Sequence, residues 1–107
     1  MSTAARVVLV TCPASAAESF AERLVEERLV ACANLLPVTS VYRWEGRVEK
    51  EPEALLVLKT GADAVARLEA FVRAEHPYDL PEFVVLTPEH VEQGYLGWVL
   101  EQTKPSS

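Results

Sequence analysis

The chain has 107 residues, half of them hydrophobic, which is the size and apolar content of one domain with a real core. Sixteen acidic residues against ten basic ones give a net charge of −6, which argues against a nucleic-acid binder, since that function needs a basic stripe. No apolar run approaches the roughly 18 residues of a membrane span, and no apolar segment with a cleavage site follows the first residues, so a cytoplasmic protein with reduced, semi-buried Cys12 and Cys32 is expected.

Residues 1–5 are small and polar and read as a frayed tail. Val7-Val8-Leu9-Val10 is an unbroken apolar run, the pattern of a central strand, and Pro13 ends it. Ser15-Ala16-Ala17-Glu18 has the spacing of a capping box and predicts a helix to about Arg28 or Leu29, with Ala17, Phe20, Ala21, Leu24 and Val25 on its inner face. A second strand follows from Ala33. Pro37 cannot donate to a ladder, so that strand belongs at an edge or carries a bulge.

Val38 to Val48 reads as the tip of a long hairpin with its turn at Gly46. The return strand ends in Ala54-Leu55-Leu56-Val57-Leu58, a second unbroken apolar run, and Pro52 marks where its projecting part meets the domain. Arms of about 12 residues span roughly 40 Å, more than the roughly 35 Å diameter of a globule of this length. Tyr42 and Trp44 share one face of the overhanging arm. Aromatic rings so placed predict a second copy of the chain as their cover.

Gly61 stops the strand and Asp63 opens a second helix, with Val65, Leu68, Phe71 and Val72 inside. His76-Pro77 ends it. Phe83 to Leu86 is a fourth strand. A last helix is expected over about Glu92 to Gln102 with Tyr95, Trp98 and Val99 on one side, and 103–107 is a tail. The order β-α-β-β-α-β plus a helix, taken as two right-handed crossover units, gives a single α+β domain. Its fold is a ferredoxin-like βαββαβ sandwich with an extra C-terminal helix and a long hairpin between its second and third strands. The first and third strands are then central, where the two unbroken runs fall, and the second and fourth are edges that need cover.

The chain resembles the CutA family of divalent-cation tolerance proteins. The resemblance is carried by Leu24 to Asn34, Ser40-Val41-Tyr42-Arg43-Trp44-Glu45-Gly46, Lys59-Thr60, His76-Pro77-Tyr78-Asp79-Leu80-Pro81-Glu82 and Tyr95-Leu96-Gly97-Trp98, in family order. It implies a ferredoxin-like subunit, a tight homotrimer with strands donated across subunits as in PII signalling proteins, and a link to copper tolerance and divalent-cation binding. It also implies a cleft between subunits near Cys32, Trp44, Lys59, Tyr78, Glu82 and Trp98, with Tyr42 and Trp44 at the trimer interface. Some members carry a Cys at the end of the first strand and a His before His-Pro-Tyr; here Val10 and Glu75 stand there, with Cys12 two residues on.

Two readings of His76 follow: a metal ligand with Glu82 beside it, for a divalent ion such as Cu2+, or a helix cap bonded within its own turn. Glu82 meets either a cation or Lys59. Aromatic walls with one Lys and one Glu describe a pocket for a small anionic ligand as well as a subunit seam. Cys32 has no His or basic residue adjacent in sequence to activate it. The loop Cys12-Pro13-Ala14-Ser15 lacks the Arg and the glycines of an acylphosphatase cradle, and no nucleophile-base pattern or P-loop occurs, so no enzyme is expected.

Overall fold

The computed structural model describes residues 4–105; the tail residues 1–3 and 106–107 lie outside the described residues. The elements are β1 (Ala5–Cys12), α1 (Ala14–Glu26), β2 (Cys32–Trp44), β3 (Arg47–Gly61), a 3-10 turn (Ala62–Ala64), α2 (Val65–Glu75), β4 (Val84–Leu86) and α3 (Gln93–Gln102). The four strands form one antiparallel sheet in the order β2-β3-β1-β4. The two apolar runs occupy its centre and the second and fourth strands its edges, as the sandwich requires. Among the described residues no helix is long and apolar enough to cross a membrane.

The core lies between the sheet and helices α1 and α2. Val8, Val10 and Cys12 of β1 and Ala54, Leu56 and Leu58 of β3 point to one side by strand alternation. Phe20, Leu24, Leu68 and Val72 meet them at helical spacing. Fully burying each Leu or Val contributes about 1.5–3 kcal/mol, so this face dominates folding. A second cluster of Ala5, Ala31 and Val99, with Val91 and Leu96 against it, seats α3 at one end of the sheet.

The hairpin is one unbroken ladder from Cys32↔Lys59 to Trp44↔Arg47. Pro37 pairs with Ala54 without a bulge and is tolerated because β2 is an edge. The β1 ladder stops at Cys12↔Ala54, so Pro52 sits just beyond it and the last seven β2–β3 pairs project alone. That overhang is roughly 20 Å long. It stretches the subunit to 44 × 29 × 20 Å with a radius of gyration of 14.4 Å, against about 13 Å for a compact chain of this length. Glu45 (φ 49°) and Gly46 (φ 79°) make the two-residue turn, whose positive φ values match strand twist. Tyr42 and Trp44 on the overhang are 38 % and 48 % exposed.

Several local expectations are corrected. The Ser15–Glu18 capping box does not form: the helix begins two residues earlier, with Pro13 as its N-cap and no side-chain cap, and this puts Ser15 inside the first turn. The second helix is entered through the 3-10 turn holding Asp63. The tails are shorter than expected. Ala5 already pairs with Gly61, while Thr103 is buried and bonds back to the Val99 carbonyl.

Arg28 explains part of that order. Helix α1 ends in a Schellman arrangement, Leu29 N–H to Leu24 O and Arg28 N–H to Val25 O, with Arg28 at φ 59° where glycine is usual. Its guanidinium donates to the carbonyls of Lys104 (2.7 Å) and Glu101 (2.8 Å), which ties down the end of α3. Left-handed backbone costs a non-glycine residue about 1 kcal/mol, and two charge-assisted bonds at the surface return about 2 kcal/mol. Arg28→Ala keeps the strain and loses the bonds; Arg28→Gly loses both. Urea unfolding should therefore find the Ala variant about 2 kcal/mol and the Gly variant about 1 kcal/mol less stable than the parent. An Ala variant as stable as the Gly variant would show that the strain is not there.

Candidate functional site

A cleft of about 830 Å³ lies at the base of the overhang. The hairpin supplies one wall. Ser40, Tyr42 and Trp44 of β2 and Glu49, Glu51 and Glu53 of β3 share one face because the register pairs Tyr42 with Glu49 and Ser40 with Glu51. The loop after α2 supplies the other wall, with Pro77 and Pro81 stiffening it and Tyr78, Asp79 and Glu82 lining it.

His76 anchors that loop. It is 8 % exposed and packs edge-on against Phe20, with ring centroids 5.6 Å apart. Nε2 lies 2.8 Å from the Thr11 carbonyl, and Nδ1 accepts from the Tyr78 N–H at 3.0 Å. A carbonyl only accepts, so Nε2 carries the proton and both ring nitrogens are spent. This is the helix-cap reading of His76, and it leaves no free lone pair for a metal. Tyr78 in turn donates its hydroxyl to Glu53 Oε2 at 2.8 Å. A chain of bonds thus runs from β1 through His76 and Tyr78 to the cleft.

Glu53 is the residue that sequence reasoning missed. It is 7 % exposed, and its charge is felt around it. The Tyr78 hydroxyl is pushed well up, first by desolvation and then by its bond to Glu53. Glu82 is raised above the ordinary 4.5 by partial burial and then by the Glu53 charge. The buried Cys12 thiol is raised by desolvation and then by the same carboxylate. Tyr42 is raised by desolvation and by its bond to Glu51. The alternation Glu49, Glu51, Glu53 was legible as one strand face; the burial of its last member depends on the Tyr78 loop.

Of the residues expected in one cleft, Trp44, Tyr78 and Glu82 line this concavity. Cys32, Lys59 and Trp98 lie at the far end of the sheet. Lys59 lies six positions along β3 from Glu53, roughly 20 Å. Lys59 Nζ donates to Asn34 Oδ1 and to the Val57 carbonyl, so it does not meet Glu82 within the chain. Cys32 faces Lys59 across the ladder, a basic neighbour that adjacency in sequence does not reveal. Its Sγ reaches Asn34 Oδ1 at 3.9 Å. Tyr95, beside Cys32, stacks at 5.6 Å on Trp98. Among the described residues no group of three or more His, Cys, Asp and Glu side chains is arranged to hold a metal ion.

Residues 6–102 match the family described as CutA1 divalent ion tolerance protein. The divalent-cation tolerance protein CutA of Thermus thermophilus is 46 % identical over 99 residues, 91 % of this chain and 96 % of the relative. Protein CutA of Mus musculus is 42 % identical over 100 residues, 92 % of this chain but only 56 % of that longer relative. Among solved structures, the PII-like protein CutA from Nostoc sp. PCC 7120 in apo form superposes with a TM-score of 0.91 at 37 % identity, covering 94 % of this chain and 99 % of that one. The chain belongs to the CutA1 divalent ion tolerance protein family.

Proposed function

We propose that this protein is a non-enzymatic, homotrimeric divalent-cation tolerance protein of the cytoplasm that takes up divalent ions such as copper weakly. The name of the Thermus relative supports the tolerance role. The observation that carries the assembly is the overhang itself: Tyr42 and Trp44 are exposed on it, and all of β4 (Val84, Val85, Leu86) is 39–45 % exposed at the other edge. Bare apolar edges of this kind are covered in working proteins. The ends of the sheet that hold Lys59 and Glu82 meet only if a neighbouring copy brings them together. The two free cysteines fit a reducing compartment.

Weak binding follows from the donors. Copper favours nitrogen and sulfur, but His76 is engaged on both nitrogens and Cys12 is fully buried. What remains is carboxylate, chiefly Glu82 beside Glu53, whose mutual repulsion a divalent cation relieves. A second reading, a PII-like small-ligand signalling trimer without a metal role, is favoured by the likeness to the Nostoc PII-like protein and by the aromatic lining of the cleft.

Light scattering of the full chain should give three times the 11.8 kDa chain mass. Removing the indole with Trp44→Ala should weaken each subunit interface by about 2 kcal/mol and shift the population toward smaller species. A single-chain mass for the parent would overturn the assembly. In calorimetry, Glu82→Gln should weaken Cu2+ or Mn2+ binding several-fold; unchanged heats remove Glu82 from the reading.

The same variant tests the cleft's electrostatics through pH. The folded state holds the Glu82 proton more tightly than the unfolded chain does. Its contribution to stability is therefore full below 4.5 and lost as pH rises through the raised value. Relative to the parent, Glu82→Gln should melt higher at about pH 7 and equally at about pH 4. The same difference at both would place the effect outside ionisation.

A further inference from the structure

We propose that Cys32 and Lys59 form a redox-sensitive pair: a peroxide closes a covalent sulfur–oxygen–nitrogen bridge between them, and a dithiol reductant opens it. The pair stands at the far end of the sheet from the acidic cleft and rests on neither ligand reading above.

Register brings the two groups together. Cys32 pairs directly with Lys59 across the β2–β3 ladder, and residues paired in this way put their side chains on the same face. The Ala31 amide donates to the Lys59 carbonyl at 2.8 Å, which fixes the ladder at this point. The side chains then converge on one atom. Lys59 Nζ donates to Asn34 Oδ1, and Cys32 Sγ lies 3.9 Å from the same oxygen. One oxygen atom thus already stands in reach of both the sulfur and the nitrogen, as the bridging oxygen would. The other bond of Nζ is to the Val57 carbonyl, so neutral oxygens rather than a carboxylate hold the amine. The Tyr95 hydroxyl bonds to the sulfur from α3. Cys12 has a different setting: it is fully buried, and the charge that acts on it is the Glu53 carboxylate. Both members of the pair belong to one subunit and are only partly buried. Closure therefore needs no open face, only the entry of a molecule not much larger than water.

The chemistry balances with two molecules of hydrogen peroxide. In the first step the sulfur attacks a peroxide oxygen. The S–H and O–O bonds break, an S–O bond forms, and the thiol becomes a sulfenic acid while the peroxide is reduced to water. In the second step the Lys59 nitrogen, once its ammonium has given a proton to solvent, bonds to the sulfenic oxygen. The sulfenic O–H and one N–H break, and their two hydrogens reduce the second peroxide to two waters. The product is Cys–S–O–NH–Lys, one oxygen heavier and two hydrogens lighter than the open pair. Two equivalents of dithiol return the thiol, the amine and one water. Closure replaces an ammonium by a weakly basic nitrogen and pins the first residue of β2 to β3.

The test is mass spectrometry of the full chain after hydrogen peroxide treatment, denatured without reductant. The parent should gain about 14 Da per chain and lose that gain in dithiothreitol. It should also resist trypsin after Lys59 and yield residues 32 and 59 in one linked peptide. Cys32→Ser and Lys59→Arg should each abolish the gain, and Cys12→Ser should keep it. Lys59→Arg retains the positive charge, and an unchanged circular dichroism spectrum shows that it folds. Four results would overturn the proposal: no such product, the same product in Lys59→Arg, a plain sulfenic or sulfinic acid at Cys32 as the end point in the parent, or a disulfide between chains.

Discussion

Everything distinctive about this subunit depends on one ladder being longer than the body it belongs to. Strand β3 is paired on both sides from Ala54 to Lys59 and on the β2 side only from Arg47 to Glu53. The doubly paired half carries Leu56 and Leu58 into the core. The singly paired half adds nothing to that core and is held by its ladder to β2 and its turn. A two-stranded ribbon is marginal by itself in water. Here it inherits its register from the sheet, because a slip of one residue would turn Leu56 and Leu58 out of the core. The register that packs the core therefore also decides that Tyr42 stands opposite Glu49 and Ser40 opposite Glu51.

The second support of the cleft comes from the opposite layer. Helix α2 must stop at His76 because Pro77 follows, and the imidazole then spends both nitrogens joining the Thr11 carbonyl of β1 to the Tyr78 amide. Tyr78 passes that order to Glu53. These bonds are local in space and far apart in sequence. They connect a helix end, a central strand and the hairpin, and so keep the Pro77–Glu82 loop from moving independently of the sheet. A histidine in this role is structural, and its value to the site is the position it gives to Tyr78.

These two supports differ in how far they were legible in the sequence. The central strands were readable because continuous apolar runs suit strands paired on both sides, and the Gly46 turn and the His76-Pro77 stop follow from backbone sterics. The capping box at Ser15 was not decided by its own residues: starting the helix just after Pro13 put the serine two positions too deep to cap. Lys59 beside Cys32 is a product of register, which pairs residues 27 positions apart and leaves no local trace. The burial of Glu53 depends on a loop that begins some two dozen residues later. Side-chain chemistry was visible wherever a single strand or turn decided it, and hidden wherever two elements had to meet.

Two places in the chain break the ordinary local rules, and the contrast between them is informative. Arg28 occupies left-handed backbone without being glycine, but two carbonyls at the end of α3 accept its guanidinium, so the cost is offset inside the same subunit. The Glu49-Glu51-Glu53 row gathers like charges on one face, adds Glu82 and Asp79 from across the cleft, and has no basic side chain among its lining residues. Natural sequences accept such conflicts mainly where function requires them. Each carboxylate could be satisfied singly by water, yet Glu53 has been withdrawn from water and given a hydroxyl in its place. The first exception closes on itself. The second is met only in part inside the subunit, where the hydroxyls of Tyr78 and Tyr42 bond to Glu53 and Glu51.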